Sequence, residues 1–182
     1  MSGLSAGRWL GGAAVAALAV VAVLPFWRSS GPPGTFGVHL RAREGALSRV
    51  NAGDTLAAGD TLRFEVHAPE KAFVTIAGID AAMVVRPYVV DMELAAGTNR
   101  ILPANFILEE PDGPERIVGL FCREPIRRDV LIRAGERALA RSKGDPVTIP
   151  ALDLDGCSET SLLIQKTLRR PSADPNQPSA GQ

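Results

Sequence analysis

Hydrophobic positions follow three different patterns along this chain. Leu10 to Phe26 is an unbroken run of seventeen uncharged, almost wholly apolar residues, set between Trp9 and Trp27. As a helix rising about 1.5 Å per residue, Trp9 to Trp27 spans roughly 28 Å, close to the hydrocarbon thickness of a bilayer, with an indole at each interface. The run predicts a transmembrane helix over residues 9–27, following a short cytoplasmic stretch at 1–8. Its six Ala, two Gly and Pro25 add little insertion energy, so a cleaved secretory signal is the competing reading. Leu24-Pro-Phe-Trp-Arg28 stands where a small-x-small cleavage site belongs, which favours the anchor.

After a Pro/Gly-rich linker at 28–35 the period changes to two. Gly37 to Arg43 alternates, and Thr61 to His67 places Leu62, Phe64 and Val66 on one face and Arg63, Glu65 and His67 on the other, as half-buried strands do. Asn51-Ala-Gly-Asp54 and Ala58-Gly-Asp60 between them are turn chemistry. Ala72 to Ile79 and Met83 to Val90 read as a hairpin turning at Asp80-Ala-Ala82, and Pro87 marks the second strand as an edge or a break. Further strands are expected at Asn99 to Leu102, Phe106 to Leu108, Glu115 to Cys122 (the most apolar, hence central) and Ser161 to Thr167. Short strands with turn signals between them predict a mainly β, single β-sandwich domain over residues 36–168.

The third pattern is helical. Within Ile126 to Ser142, Leu131, Ala134, Gly135, Ala138 and Leu139 form the i, i+3, i+4, i+7, i+8 stripe of one amphipathic helix. Its polar side carries Arg133, Arg137 and Arg141 every fourth residue, with Asp129 four positions before Arg133. That ridge is a solvated helix face or a contact for anionic lipid headgroups or an acidic partner. Residues 169–182, with three Pro and no aromatic, predict a disordered tail.

Charge narrows the function classes. Of 20 basic residues only Arg8 precedes the apolar run, so 19 face 20 acidic residues beyond it, and aromatics make up 5% of the chain. That balance argues against nucleic acid as a partner. Orientation by flanking charge is nearly even. The bulk of the chain lies after Trp27, which places it on the extracytoplasmic side, the periplasm, of a single-pass protein in a bacterial inner membrane.

Cys122 and Cys157 are the two cysteines. An exported domain with an even count predicts a disulfide, whose loop of about 36 residues is worth roughly 3 to 4 kcal/mol in the chain-entropy model. Two buried free thiols are the alternative. With only His39 and His67 elsewhere, zinc-ligand spacing is missing, so no metal is expected.

Catalytic and cofactor motifs are not found. His39 and His67 sit in alternating strands without a nucleophile signature such as G-x-S-x-G. Asp153-Leu-Asp155-Gly156 has part of a calcium-loop pattern without its third acidic position or closing Glu, and reads as a turn. Glu109-Glu110-Pro-Asp112 reads as a charged loop. No catalytic, cofactor-binding or metal residues are therefore assigned.

Gly59-Asp-Thr-Leu-Arg-Phe-Glu-Val66, Ala72-Phe-Val-Thr-Ile-Ala-Gly-Ile-Asp80, Ile101-Leu-Pro-Ala104 and Pro114-Glu-Arg-Ile-Val-Gly-Leu-Phe-Cys122 together resemble the extracytoplasmic β domain of a poorly characterised group of bacterial membrane-anchored proteins, some labelled anti-sigma factors. The resemblance covers about residues 36–168 and implies a β domain beyond the membrane. In the members so labelled, a zinc-binding segment with His and Cys ligands precedes the membrane helix. Met1 to Arg8 contains neither residue. The expected function is a membrane-anchored, non-catalytic binding or signalling module whose partners are the lipid bilayer and a protein or envelope ligand. The alternative is an accessory structural subunit of an envelope assembly.

Overall fold

The structure is a computed structural model that describes residues 31–42 and 45–168. The expected membrane helix at 9–27 and the tail at 169–182 lie outside the described residues. Among the described residues no helix is long and apolar enough to cross a membrane.

Ten strands form two sheets. The first contains β1 (Thr35–Arg41), β2 (Leu47–Val50), β4 (Thr61–Ala68), β7 (Thr98–Ile101) and β8 (Phe106–Ile107), in the order β2-β1-β4-β7 with β8 also pairing to β4. The second contains β3 (Thr55–Ala57), β5 (Ala72–Asp80), β6 (Val85–Leu94), β9 (Gly113–Cys122) and β10 (Cys157–Thr167), in the order β3-β10-β9-β5-β6. All pairings are antiparallel except β3 with β10. The expected strands are present, β9 is central and β6 carries Pro87 at the edge of its sheet.

Alternation explains the main core. Val38, Leu62, Phe64 and Val66 of the first sheet meet Val74, Ile76, Ile117, Phe121 and Ile164 of the second in one buried cluster, giving the β-sandwich. Phe64 sits at its centre, 5.0 Å from the Phe106 ring and 5.5 Å from that of Tyr88. A second cluster lies on the opposite face of the second sheet. There Ala77, Ile79, Val118, Leu120 and Cys122 pack against Leu131, Ala134, Ala138 and Leu139 of α1 (Arg128–Arg141). The helix thus buries the stripe that its sequence advertises.

The sequence pattern missed β2 and β3 and started β10 four residues late. β3 is three residues long and gains its order from a distant partner, as Gln165 N–H donates to Asp54 O and Gly53 N–H to Leu163 O, both at 2.9 Å. β10 is extended backwards because Cys157 stands in register with Cys122 of β9. Part of the linker also packs: Pro32 is buried and its carbonyl accepts a hydrogen bond from the Ser158 hydroxyl at 2.5 Å.

Candidate functional site

Cys122 and Cys157 form a disulfide between directly paired residues of β9 and β10. The bridge encloses α1, as the sequence order requires. Asp91 secures the chain between β9 and the helix, accepting a hydrogen bond from Ile126 N–H at 2.8 Å.

The structure divides the three arginines of α1 among different surroundings. Arg133 pairs with Asp129 at 2.8 Å, and Arg127 reaches the same carboxylate at 3.0 Å. Their hydrogen bonds and charges, Arg133 foremost, hold Asp129 below the usual carboxylate range. Arg141 donates to Ala151 O at 2.9 Å and lies 4.0 Å from Asp153. Arg137 is exposed with no side-chain partner among the described residues. The ridge is therefore partly spent on neighbouring loops.

The outer face of the first sheet is different. No described element covers it, whereas α1 covers the second sheet. Residues of β1, β2 and β4 that alternate with the core place Arg41, His39, Arg49, Arg63, Glu65 and His67 there. His39 Nε2 lies 3.1 Å from Glu65 Oε2. Arg63 folds back to donate to Leu102 O at 2.8 Å and Arg41 donates to Asn105 at 3.3 Å. Arg49 is exposed without a side-chain partner among the described residues. Thr35, Phe36, Gly37, Arg49, Glu65, His67 and Asn99 line a shallow depression on this face. The two histidines share the face but do not converge on a common atom.

Sequence reasoning missed the most concentrated group of charges, which lies inside the sandwich. Glu115, two positions before Ile117, and Lys166, two after Ile164, both point inward and have completely buried side chains. Lys166 Nζ stands 2.8 Å from Glu115 Oε2 and 3.7 Å from Asp80 Oδ2, and donates to Glu109 O at 3.0 Å. Asp80 Oδ1 accepts from the N–H groups of Ala82 and Val84, at 3.0 and 3.1 Å, closing the β5–β6 turn. Arg86 lies 3.5 Å from Asp80 Oδ2 and 3.0 Å from Glu109. Tyr88 donates its hydroxyl hydrogen to Glu115 Oε1 at 2.6 Å. Burial, aided by the Glu115 charge, pushes the phenol well above its usual range, so it stays a neutral donor. Gly78 leaves room for this carboxylate, since a Cβ there would collide with Glu115 Oε1.

Buried charges persist only when paired, and here the two cations, Lys166 and Arg86, offset Asp80 and Glu115. Arg86, Tyr88, Phe106 and Glu109 also line a groove of about 340 Å³ at the surface above the cluster. The available signal was parity: Asp80 and Glu115 occupy inward positions in strands whose other inward residues are apolar or glycine, and Lys166 continues the inward side of Leu162 and Ile164 in β10. Among the described residues no three His, Cys, Asp or Glu side chains converge as metal ligands. No protein-family model matches the chain, and no curated protein matches it.

Proposed function

We propose that this chain is a membrane-anchored extracytoplasmic binding module that performs no chemistry. Residues 9–27 hold it at a bacterial inner membrane and residues 36–168 present the outer face of the first sheet to an acidic protein segment. The observation that carries this reading is the unequal treatment of the two sheets. One outer face is covered by α1, while no described element covers the other, where Arg41, Arg49 and His67 are exposed, Arg63 and His39 are set deeper, and Glu65, beside His39, is the one carboxylate among these strand positions. A sheet face that serves only stability needs no such cationic excess, and complementary charge is how protein surfaces select acidic partners. The disulfide supports export, because oxidised pairs persist in oxidising compartments.

Two measurements on the full chain test this. A reporter fused after Gln182 is expected to be active only outside the cytosol; a cytosolic reporter overturns the placement. Binding of a poly-glutamate peptide to the detergent-solubilised chain is expected to weaken with salt and to be lost in the Arg41→Glu, Arg49→Glu double variant. Loss in the Arg133→Glu, Arg137→Glu, Arg141→Glu variant instead would move the contact to α1 and overturn the assignment of the sheet face.

A further inference from the structure

We propose that Lys166 and Glu115 become joined by an amide bond that the folded sandwich itself forms. Five observations converge. Glu115 stands opposite Ile164, so Lys166, two residues further along β10, projects on the same inward face of the adjacent strand. Its Nζ and Glu115 Oε2 are already 2.8 Å apart, with both side chains shut off from water. No hydrogen-bond donor is aligned with that Oε2, although it is buried. The other carboxylate oxygen, Oε1, is held by the Tyr88 hydroxyl at 2.6 Å, where negative charge develops when a nucleophile adds to the carboxyl carbon. Asp80 Oδ2, 3.7 Å from Nζ, supplies a proton acceptor, and its own carboxylate is fixed by two backbone N–H groups and Arg86.

The reaction balances without any oxidant, reductant or added reagent. The Lys166 ammonium passes one proton to Asp80 and becomes an amine. Its lone pair forms the N–C bond to Cδ of Glu115 while the C=O electron pair moves onto Oε1, under the Tyr88 hydroxyl. The intermediate collapses by breaking the Cδ–Oε2 bond. Oε2 leaves as water, carrying one proton returned by Asp80 and a second from the attacking nitrogen. One ammonium and one carboxylate are thereby converted into one amide and one water, and Asp80 ends as it began.

In open water this condensation is unfavourable because both reactants are stabilised by hydration as ions. Inside the sandwich that hydration is lost, so removing the charge pair relieves a cost rather than adding one. Fixed proximity contributes further, since well-oriented intramolecular partners reach effective concentrations of roughly 10⁵ to 10⁸ M. Once formed, the amide is shielded from hydrolysis by the same burial. β9 and β10 would then be covalently joined near both ends, by the amide at Glu115 and by the disulfide at Cys122.

Peptide mass spectrometry of the full chain, reduced and digested with trypsin, decides the matter. Trypsin does not cut after an acylated lysine. The expected product is a branched peptide in which residues 101–116 are attached to residues 144–169, one water lighter than the two together. Recovery of residues 101–116 and 144–166 as separate peptides in full yield overturns the proposal. A branch from residues 72–100 would put the bond on Asp80 and overturn the choice of Glu115. In Asp80→Asn the branch is expected to fall at least tenfold while the Cys122–Cys157 bridge still forms; an undiminished branch overturns the proton-acceptor role.

Discussion

Single side chains in this protein are governed by how much water each retains and by what replaces it. Glu159 is a measurable case. Burial is the largest influence on its carboxyl and raises its pKa, against the opposing hydrogen bond from Leu152 N–H to Oε2 at 2.8 Å. A raised folded-state pKa means that the native state binds the proton more tightly than the unfolded chain. Glu159 therefore supports the fold most below the ordinary glutamate value of about 4.3, and this support is lost as pH rises through its folded pKa. Glu159→Gln cannot ionise and keeps an acceptor for Leu152. Its Tm relative to the parent is expected to climb between pH 4 and pH 7, read by thermal melts across that range; a flat or falling difference contradicts the burial argument. The Asp80–Glu115–Lys166 cluster shows the same physics with the charges paired. Each of its residues could be found by parity on its own strand, but their meeting at one point could not, because three separate strands deliver them.

At the scale of elements, α1 depends on one position without a side chain. A Cβ on Gly135 would stand 2.6 Å from Val85 Cγ2, so the helix approaches β6 as closely as backbone allows. Alanine in place of glycine favours a helix interior by about 1 kcal/mol, whereas forcing a methyl group into a filled contact costs typically about 1 to 3 kcal/mol. Gly135→Ala is expected to be net destabilising, by up to about 2 kcal/mol in urea unfolding once these terms are set against each other. Adding Val85→Ala should make the pair less destabilising than the sum of the single changes, which a double-mutant cycle measures. The stripe Leu131, Ala134, Gly135, Ala138 and Leu139 was readable because five positions repeat the helical period, and all five are buried. β2 and β3 were not, because Leu47 and Val50 stand three apart and break a two-residue period, and Thr55–Ala57 is hemmed in by turn residues on both sides.

For the whole molecule, the disulfide closes a long loop around the helical layer. Reducing it restores conformational freedom to the unfolded chain over a sequence separation of 35, a loss of roughly 3 to 4 kcal/mol of stability in the chain-entropy model. The folded state should survive reduction, because the β9–β10 ladder continues well beyond the bridge, from Ser158 opposite Phe121 to Lys166 opposite Gly113. Guanidinium unfolding with and without reductant is expected to show a lower midpoint and an unchanged native circular dichroism spectrum. An unchanged midpoint would mean that the bridge constrains nothing the sheet does not already hold. The same loop explains the layering, since α1 leaves from the end of β9 and must return to β10, and the outer face of the second sheet is the apolar surface within reach.

Local periodicity and composition determined the strands of useful length, the helix and its buried face, and the pairing of the only two cysteines. Each is a property of nearby residues or of a count, and each appears in the structure. Tertiary structure alone decided which sheet the helix covers, which leaves the arginine-bearing face of the first sheet uncovered by any described element, and it alone brought Lys166 to Glu115 and Asp80. Alternation says which way a side chain points, but not what waits on the other side. Strand order and register, set by burial summed over both sheets, supply that second half.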